Sequence, residues 1–550
     1  MNVAEAVGST LATRFGVDTV FGVVGSGNFH VTNALTAHGA RFVAARHEGG
    51  AATMADAYAR VGRRLGVVSV HQGPGLTNAL TGIAEAAKSR TPLLILAADV
   101  AAAAVRSNFR VDQAALATAV GAVPERVHSP ASALEDLARA CRTAVVERRT
   151  VLLSLPLDVQ AADHIGPEAI PALTEPPATT PAADAVARLA DAIAGARRPV
   201  FVAGRGARLS RAGEPLRALA ERGGALLATS AVARGLFTGD PYDLDVSGGF
   251  ASPVAAELIR GADLLVGWGC ALNMWTMRQG SLIGDDTTVV QVDLEPGALG
   301  AHRPVHLGVV GDAAETARAV EAELAGRGHA SAGYRSPELA ERLAREVRWR
   351  DVPYDDDSDG SRIDPRTLSI ALDDLLPRER TVAVDSGNFM GYPAMYLDVP
   401  DADGLVFTQG FQSVGLGLST AIGAAIARPD RLAVAALGDG GALMAVSEVE
   451  TAVRLGLGML IVVYDDEAYG AEVHHFGPGG HPLDTVTFPP TDIAEIGRGF
   501  GCEAVTVRRR EDLAPVREWV EGPRDRPLVV AAKVTRDRPA WWLEEAFRGH

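Results

Sequence analysis

Cysteine is scarce: Cys141, Cys270 and Cys502 are the only three in 550 residues, odd in number and far apart. That excludes a disulfide framework or a cysteine-built zinc site and leaves them as packing residues in a reducing compartment. A surplus of positive charge is missing too. The formal net charge is −16, so neither a nucleic-acid polyanion nor an anionic membrane surface is expected as the main partner. No apolar run reaches the ~18 residues needed to span a bilayer, and no basic-then-apolar leader opens the chain. The expected location is cytoplasmic. Also absent is a Gly-x-Gly-x-x-Gly turn with an acid about twenty residues on, which argues against a nicotinamide dehydrogenase.

What is present is material for several cores. One core stops growing at roughly 250–300 residues, so two or three domains are expected. Two stretches read as linkers. Residues 165–181 are rich in proline (Pro167, Pro171, Pro176, Pro177, Pro181), and residues 326–365 hold the acidic run Asp355, Asp356, Asp357 and Asp359. The second also contains a short polar helix over 336–350. The predicted domains are 1–165, 183–326 and 363–537, followed by a tail, 538–550.

Each block alternates short apolar runs with helical periodicity. Strands are predicted over 19–24, 41–45, 66–70, 92–97 and 150–155, then 199–203, 225–229, 264–268 and 288–292. In the last block they fall at 381–385, 432–437, 459–464 and 528–534. Helices are predicted over 49–61 and 75–88. Continuous apolar strands between helices mean parallel sheets covered on both faces. The fold class is therefore α/β, with three doubly wound parallel-sheet domains, and ligands belong at the carboxyl ends of the strands.

The most informative stretch is there. An apolar strand runs into Gly438-Asp439-Gly440-Gly441. Glycines allow close backbone approach to a phosphate, and the following helix offers its amide dipoles to an anion. The next strand delivers Asp465 and Asp466, with Asp466 27 residues beyond Asp439. Consecutive strand ends of a parallel sheet share an edge, so Asp439 and Asp466 can converge on one hard cation such as Mg²⁺.

This pattern resembles the thiamine-diphosphate-dependent enzymes, of the acetolactate synthase and 2-oxo-acid decarboxylase group. The resemblance implies Asp439, Asp466 and the carbonyl of Ala468 as ligands of Mg²⁺, where the family usually has Asn-Asn in place of Asp465-Asp466. A second segment, Arg46-His47-Glu48 before an Ala- and Gly-rich helix, is similar to the family's activating-glutamate segment. Glu48 would then hydrogen-bond N1′ of the aminopyrimidine and favour the tautomer whose 4′-nitrogen takes the proton from C2. Read from the residues alone, Glu48 is a helix N-terminal acid.

Further positions follow from the resemblance. His71-Gln72-Gly73-Pro74-Gly75-Leu76-Thr77-Asn78 looks like a turn of the pyrimidine-binding domain, with Gly73 and Asn78 at the cofactor and His71 and Gln72 near substrate. Ser386, Gly387 and Asn388 would contact the diphosphate, with a helix cap as the competing role of Ser386. Val414 would be the wedge that bends the cofactor, with an ordinary core valine as its competing reading. Gln412 stands where the family usually has glycine and would accept from the 4′-amine. Tyr469 and Gly470, just past the metal loop, would be cofactor-binding. Glu472 matches a position where decarboxylases often carry a catalytic glutamate, and His474 and His475 are candidate proton-transfer groups. Ser26, Asn28 and His30 are candidates for facing substrate.

The resemblance covers pyrimidine, central and diphosphate domains in that order. It implies a homodimer or homotetramer, because the family's cofactor lies between domains of two subunits. It implies a carboligase splitting a 2-oxo acid and joining the remainder to a carbonyl acceptor. The alternatives are a non-oxidative decarboxylase and a cofactor-binding, non-catalytic subunit. Some relatives hold FAD or a nucleotide in the central domain, but nothing in this sequence supports FAD there. Asn108-Phe109-Arg110 replaces the Phe-Gln-Glu of acetolactate synthases.

Overall fold

The computed structural model describes residues 1–167, 170, 173–174 and 176–546. Pro171 of the first linker and residues 547–550 of the tail lie outside the described residues. Three six-stranded sheets form, and every pairing in them is parallel. The first holds β1 (Thr19–Gly22), β2 (Arg41–Ala44), β3 (Gly66–Val70), β4 (Leu93–Asp99), β5 (Val123–Arg126) and β6 (Thr150–Pro156). The second holds β7 (Pro199–Ala203), β8 (Leu226–Thr229), β9 (Asp243–Val246), β10 (Leu264–Trp268), β11 (Thr288–Asp293) and β12 (Leu307–Val310). The third holds β13 (Arg380–Val384), β14 (Leu405–Phe407), β15 (Leu432–Gly438), β16 (Leu460–Asp465), β17 (Glu503–Val507) and β18 (Leu528–Lys533).

The first and third sheets have the same strand order. One runs β2-β1-β3-β4-β6-β5 and the other β14-β13-β15-β16-β18-β17. The middle sheet differs: β9-β8-β7-β10-β11-β12 is the 3-2-1-4-5-6 order of doubly wound nucleotide-binding folds. Central strands such as β4 and β16 are buried along their whole length, as their continuous apolar runs require.

Five strands were absent from the sequence reading: β5, β9, β12, β14 and β17. All five are sheet edges. Edge strands face neighbours on one side only: β5 (Val-Pro-Glu-Arg) and β17 (Glu-Ala-Val-Thr-Val) carry polar residues, and β12 and β14 are apolar but only four and three residues long. The helix expected after Gly441 is two helices, Asp439–Met444 and Glu448–Arg454. The polar helix of the second linker runs over Pro337–Glu346, capped by the Ser336 side chain.

The outer domains share one core. Helix Glu48–Gly62, which follows β2, packs on helix Gly417–Ala427, which follows β14. The two helices thus occupy equivalent places in matching folds. Ala51, Ala55, Leu418 and Ala421 belong to a single buried cluster. At Gly423 even a Cβ would lie 2.1 Å from the Met54 carbonyl oxygen. Buried arginines fasten the middle domain to the third. Arg208 donates to the Ala402 carbonyl at 2.7 Å, and Arg234 to those of Ala394 and Leu397 at 2.6 and 2.8 Å.

Candidate active site

In both outer sheets the strand order reverses beside the first strand, between β1 and β3 and between β13 and β15. Such switch points open a crevice at the carboxyl ends of the strands. The residues singled out in the sequence gather at these two places.

At the second crevice, Asp439 follows β15 and Asp466 follows β16. The strands are in register, with Gly438 opposite Tyr464, so both acids emerge at one edge. Each is only 9% exposed. Burial raises both carboxyls above their ordinary values; repulsion from Asp466 and Asp465 adds to this at Asp439, and from Asp465 at Asp466. Ala468 N–H donates to Asp466 Oδ1 at 3.3 Å. The turn places Glu467 at φ +60°.

The site fits a hard cation and a diphosphate. Two buried carboxylates and a nearby carbonyl, that of Ala468, are oxygen donors of the kind Mg²⁺ takes alongside phosphates. Among the described residues, no three His, Cys, Asp or Glu side chains form a metal cage. The cation would therefore draw its other ligands from backbone and diphosphate. The backbone beside the acids is bare. A Cβ on Gly440 would meet the Tyr469 ring at 2.9 Å, and one on Gly441 would meet Asp385 Oδ2 at 2.3 Å. Gly387 has φ +144° and starts the turn Asn388–Met390. Ser386 does not cap that turn; its hydroxyl donates to Gln409 Oε1 at 3.3 Å. Asn388 sits by Asp466, where a Cβ on Gly470 would touch both side chains. The tail closes over this loop, with Trp542 Nε1 donating to the Asn388 carbonyl at 3.0 Å.

Asp385 was not among the expected site residues, yet it orders the next loop. Its buried carboxylate accepts from the amides of Ser386 (2.9 Å), Gly415 (3.0 Å) and Leu416 (3.2 Å). Burial pushes its pKa up to about 6, against those hydrogen bonds. The loop so held presents Val414, which is 39% exposed and is therefore no core residue. Gln412 has φ +64°, the left-handed conformation that favours glycine.

At the first crevice, Glu48 opens its helix directly after β2. The helix cap is His47, whose Nδ1 accepts from Gly49 N–H at 3.0 Å. Asn78 Nδ2 donates to Glu48 Oε2 at 3.0 Å. Gly73, at φ +66°, turns the chain from β3 into the helix that carries Asn78. His71 accepts from Gly27 N–H through Nδ1 at 3.1 Å, leaving Nε2 for the proton of the neutral ring. Burial holds its pKa below the usual histidine value, with Glu48 pulling the other way. Ser26 and His30 are exposed and Gln72 is buried.

One expectation fails. Asn28 does not face substrate. It is fully buried, accepts from Gly25 N–H at 2.8 Å, and donates to the Val23 carbonyl and Ser69 Oγ. Its amide shapes the loop after β1. Beyond the turn at Asp466–Ala468, Glu472, His474 and His475 lie on helix Gly470–Phe476. Glu472 is exposed, and burial holds His474 below its ordinary pKa.

Two cavities border these places. One of about 310 Å³ lies beside Asp439, Gly440 and Tyr469. A larger one of about 1130 Å³ runs from the carboxyl edge of the middle sheet, at Gly204, Gly269 and Asp293, to Phe407 and Gln412. No helix among the described residues is long and apolar enough to cross a membrane.

Fold and site together define a class, and comparison with known proteins agrees. Residues 1–118 match the thiamine pyrophosphate enzyme N-terminal TPP binding domain, 186–320 the central domain, and 385–532 the C-terminal TPP binding domain. The chain belongs to the thiamine pyrophosphate enzyme family.

Individual relatives span several reactions. The chain is 31% identical to a probable 2-ketoarginine decarboxylase of Pseudomonas aeruginosa, over 92% of this chain and 88% of that protein. It is 29% identical to a sulfoacetaldehyde acetyltransferase of Castellaniella defragrans, over 94% and 90%. It is also 29% identical to the catabolic acetolactate synthase of Raoultella terrigena, over 98% and 96%. The fold matches the thiamine diphosphate-dependent 4-hydroxybenzoylformate decarboxylase of Rhodococcus jostii at a TM-score of 0.81, with 21% identity, covering 98% of this chain and all of that one.

Proposed function

We propose that this enzyme uses thiamine diphosphate and Mg²⁺ to remove the carboxylate of a 2-oxo acid and to join the remainder to a second carbonyl compound. The observation that carries cofactor use is the pairing of the two crevices. One presents an acid at the head of a helix, held by Asn78, and the other presents two buried carboxylates that lack charge balance without a cation. The end-to-end likeness to acetolactate synthase supports carboligation as the outcome.

The residues divide the work. Asp439, Asp466 and the Ala468 carbonyl would hold Mg²⁺, and the bare backbone of Gly440 and Gly441 would admit the diphosphate. Val414 would press between the two rings, and the Gln412 carbonyl would accept from the 4′-amine. When bound, the cofactor supplies a nucleophilic carbon and an electron sink for the bond that breaks. Glu48 would share a proton with N1′ and so set which nitrogen is basic at the reacting carbon. His71, with Nε2 protonated, and the exposed Ser26 and His30 would orient an incoming acid.

A homodimer is part of the reading. Val24, Phe29, Phe411, Val414, Met444 and Tyr469 are large, apolar and exposed, and all lie on the loops or short helix ends that follow the strands at the two crevices. A cluster of that kind marks an interface. A second reading, protonation of the decarboxylated remainder to an aldehyde, draws on Glu472 and His474, which share one short helix. Incubation with a panel of 2-oxo acids, followed by separation of aldehydes from acyloins, decides between them. Coupled products are expected; carbon dioxide with aldehyde alone overturns carboligation.

A further inference from the structure

Two buried glutamates reach across the seam between the outer domains in opposite directions. Glu448 lies on helix Glu448–Arg454, after the third strand of the third sheet. Its Oε1 accepts from the backbone amides of Arg46 (3.0 Å) and His47 (2.9 Å), the two residues before Glu48. Its Oε2 accepts from Thr451 Oγ1 at 2.7 Å. Glu85 lies on helix Pro74–Lys88, after the third strand of the first sheet. It accepts from the backbone amides of Gly410 (3.1 Å) and Phe411 (2.7 Å), the two residues before Gln412. Arg60 and Ser89 complete its shell at 2.9 and 3.0 Å. The exposures of Glu448 and Glu85 are 2% and 0%.

The receiving sides match as well. A Cβ on Gly50 would lie 2.6 Å from Glu448 Oε1, and one on Gly410 would lie 3.1 Å from Glu85 Oε1. Glycine in the first turn of the helix after Arg46–His47, and glycine within the Gly410–Phe411 loop itself, leave room for each carboxylate to reach the backbone. A buried carboxylate with two adjacent amides on it fixes the peptide planes it binds, since an orphaned charge or amide there is costly. In each case the fixed planes lie immediately before a residue expected to touch the cofactor.

We propose that Glu448 and Glu85 are reciprocal positioning residues: Glu448 sets the placement of Glu48, and Glu85 sets that of Gln412 and Val414, each from the opposite domain. The assignment rests on the cofactor reading above. Neither side chain is assigned a contact with the cofactor. Their effect is on the aim of groups that do make one, where a misplacement of about 1 Å costs about 100-fold in rate.

The test pairs two readouts on the full-length protein. First, amide hydrogen exchange is followed by mass spectrometry without cofactor. Glu448→Ala is expected to speed exchange at 46–47 by at least about 10-fold and leave 410–411 unchanged, and Glu85→Ala to do the reverse. Second, thiamine diphosphate and Mg²⁺ are added, and exchange of the C2 proton for deuterium is measured beside calorimetric affinity. Glu448→Ala is expected to slow C2 exchange about 100-fold with affinity within about 3-fold. Glu448→Gln, whose carbonyl can accept both amides, is expected to recover to within about 5-fold. Should Glu448→Ala not fold, Glu448→Asp, one methylene short, is read by the same criteria. A folded variant with parental amide exchange, or with parental C2 exchange, overturns the proposal. Parent protein that takes up no thiamine diphosphate would instead overturn the cofactor reading, and the amide measurement still judges the clasp.

Discussion

Lys533 Nζ lies 2.6 Å from Asp465 Oδ2, and both side chains are buried. Lys533 is one of only two lysines in the chain. It also reaches Glu467 at 3.3 Å, which Arg362 and Arg536 approach from the other side at 2.5 and 3.1 Å. These cations hold both neighbours of Asp466 and answer the carboxylate that stands where the family usually has asparagine. Lys533→Met should cost about 3–5 kcal/mol, because it leaves a buried acid without its partner. The double change with Asp465→Asn should recover most of the loss. Urea unfolding of the three proteins checks this, and parental stability in the single variant would refute it.

Glu48→Gln should lower turnover by about 10²–10⁴-fold, the usual range for loss of a positioned proton-transfer group. Cofactor affinity should change little, because the proposed cation clamp at Asp439 and Asp466 is untouched. Steady-state kinetics beside calorimetry separate the two, and unimpaired turnover would remove Glu48 from the proton route.

Gln412 holds a left-handed backbone that costs a non-glycine residue about 1–2 kcal/mol. Gln412→Gly relieves that strain while loosening the unfolded chain, so its melting temperature should stay within a few degrees of the parent. Gln412→Val should be destabilised by at least about 1 kcal/mol, as a β-branched side chain suits that conformation worst. Equal melting temperatures for the two variants would contradict the observed backbone.

Asp439 and Asp466 hold protons more tightly in the cofactor-free fold than in the unfolded chain. Stability from such groups is fully present below their ordinary range, near about pH 4, and is lost as pH rises through the raised values. Asp439→Asn cannot ionise. In a chelator it should therefore gain on the parent as pH rises, and Mg²⁺ with thiamine diphosphate should reverse the order. Thermal melts across a pH series with and without ligands test this; a gap that does not grow with pH would count against it.

The sequence made the interior of the sheets legible and left their edges obscure. β4 and β16 are read as strands because every residue in them is buried, whereas β9, Asp-Leu-Asp-Val, alternates half-buried acids with apolar residues in a run too short to register. Asp439 and Asp466 were visible because glycines and a strand flank them locally. Asn28 misled because a polar residue on a glycine loop looks the same whether it points outward or braces the turn. Glu85, Glu448 and Lys533 gave no signal. Their partners lie hundreds of residues away in the first two cases and 68 in the third, and helix or strand position alone does not mark an acid or a lysine as buried.

The seam at Gly423 also governs how the enzyme can breathe. Where backbone meets backbone at Gly423 with no room for a methyl group, the two helices have little slack for sliding past one another. Admission of substrate and escape of product would then fall to lighter parts: the tail segment that bears Trp542 and the short helix bearing Glu472. Turnover limited by such pieces would respond to trimming the carboxyl end rather than to changes in the angle between domains.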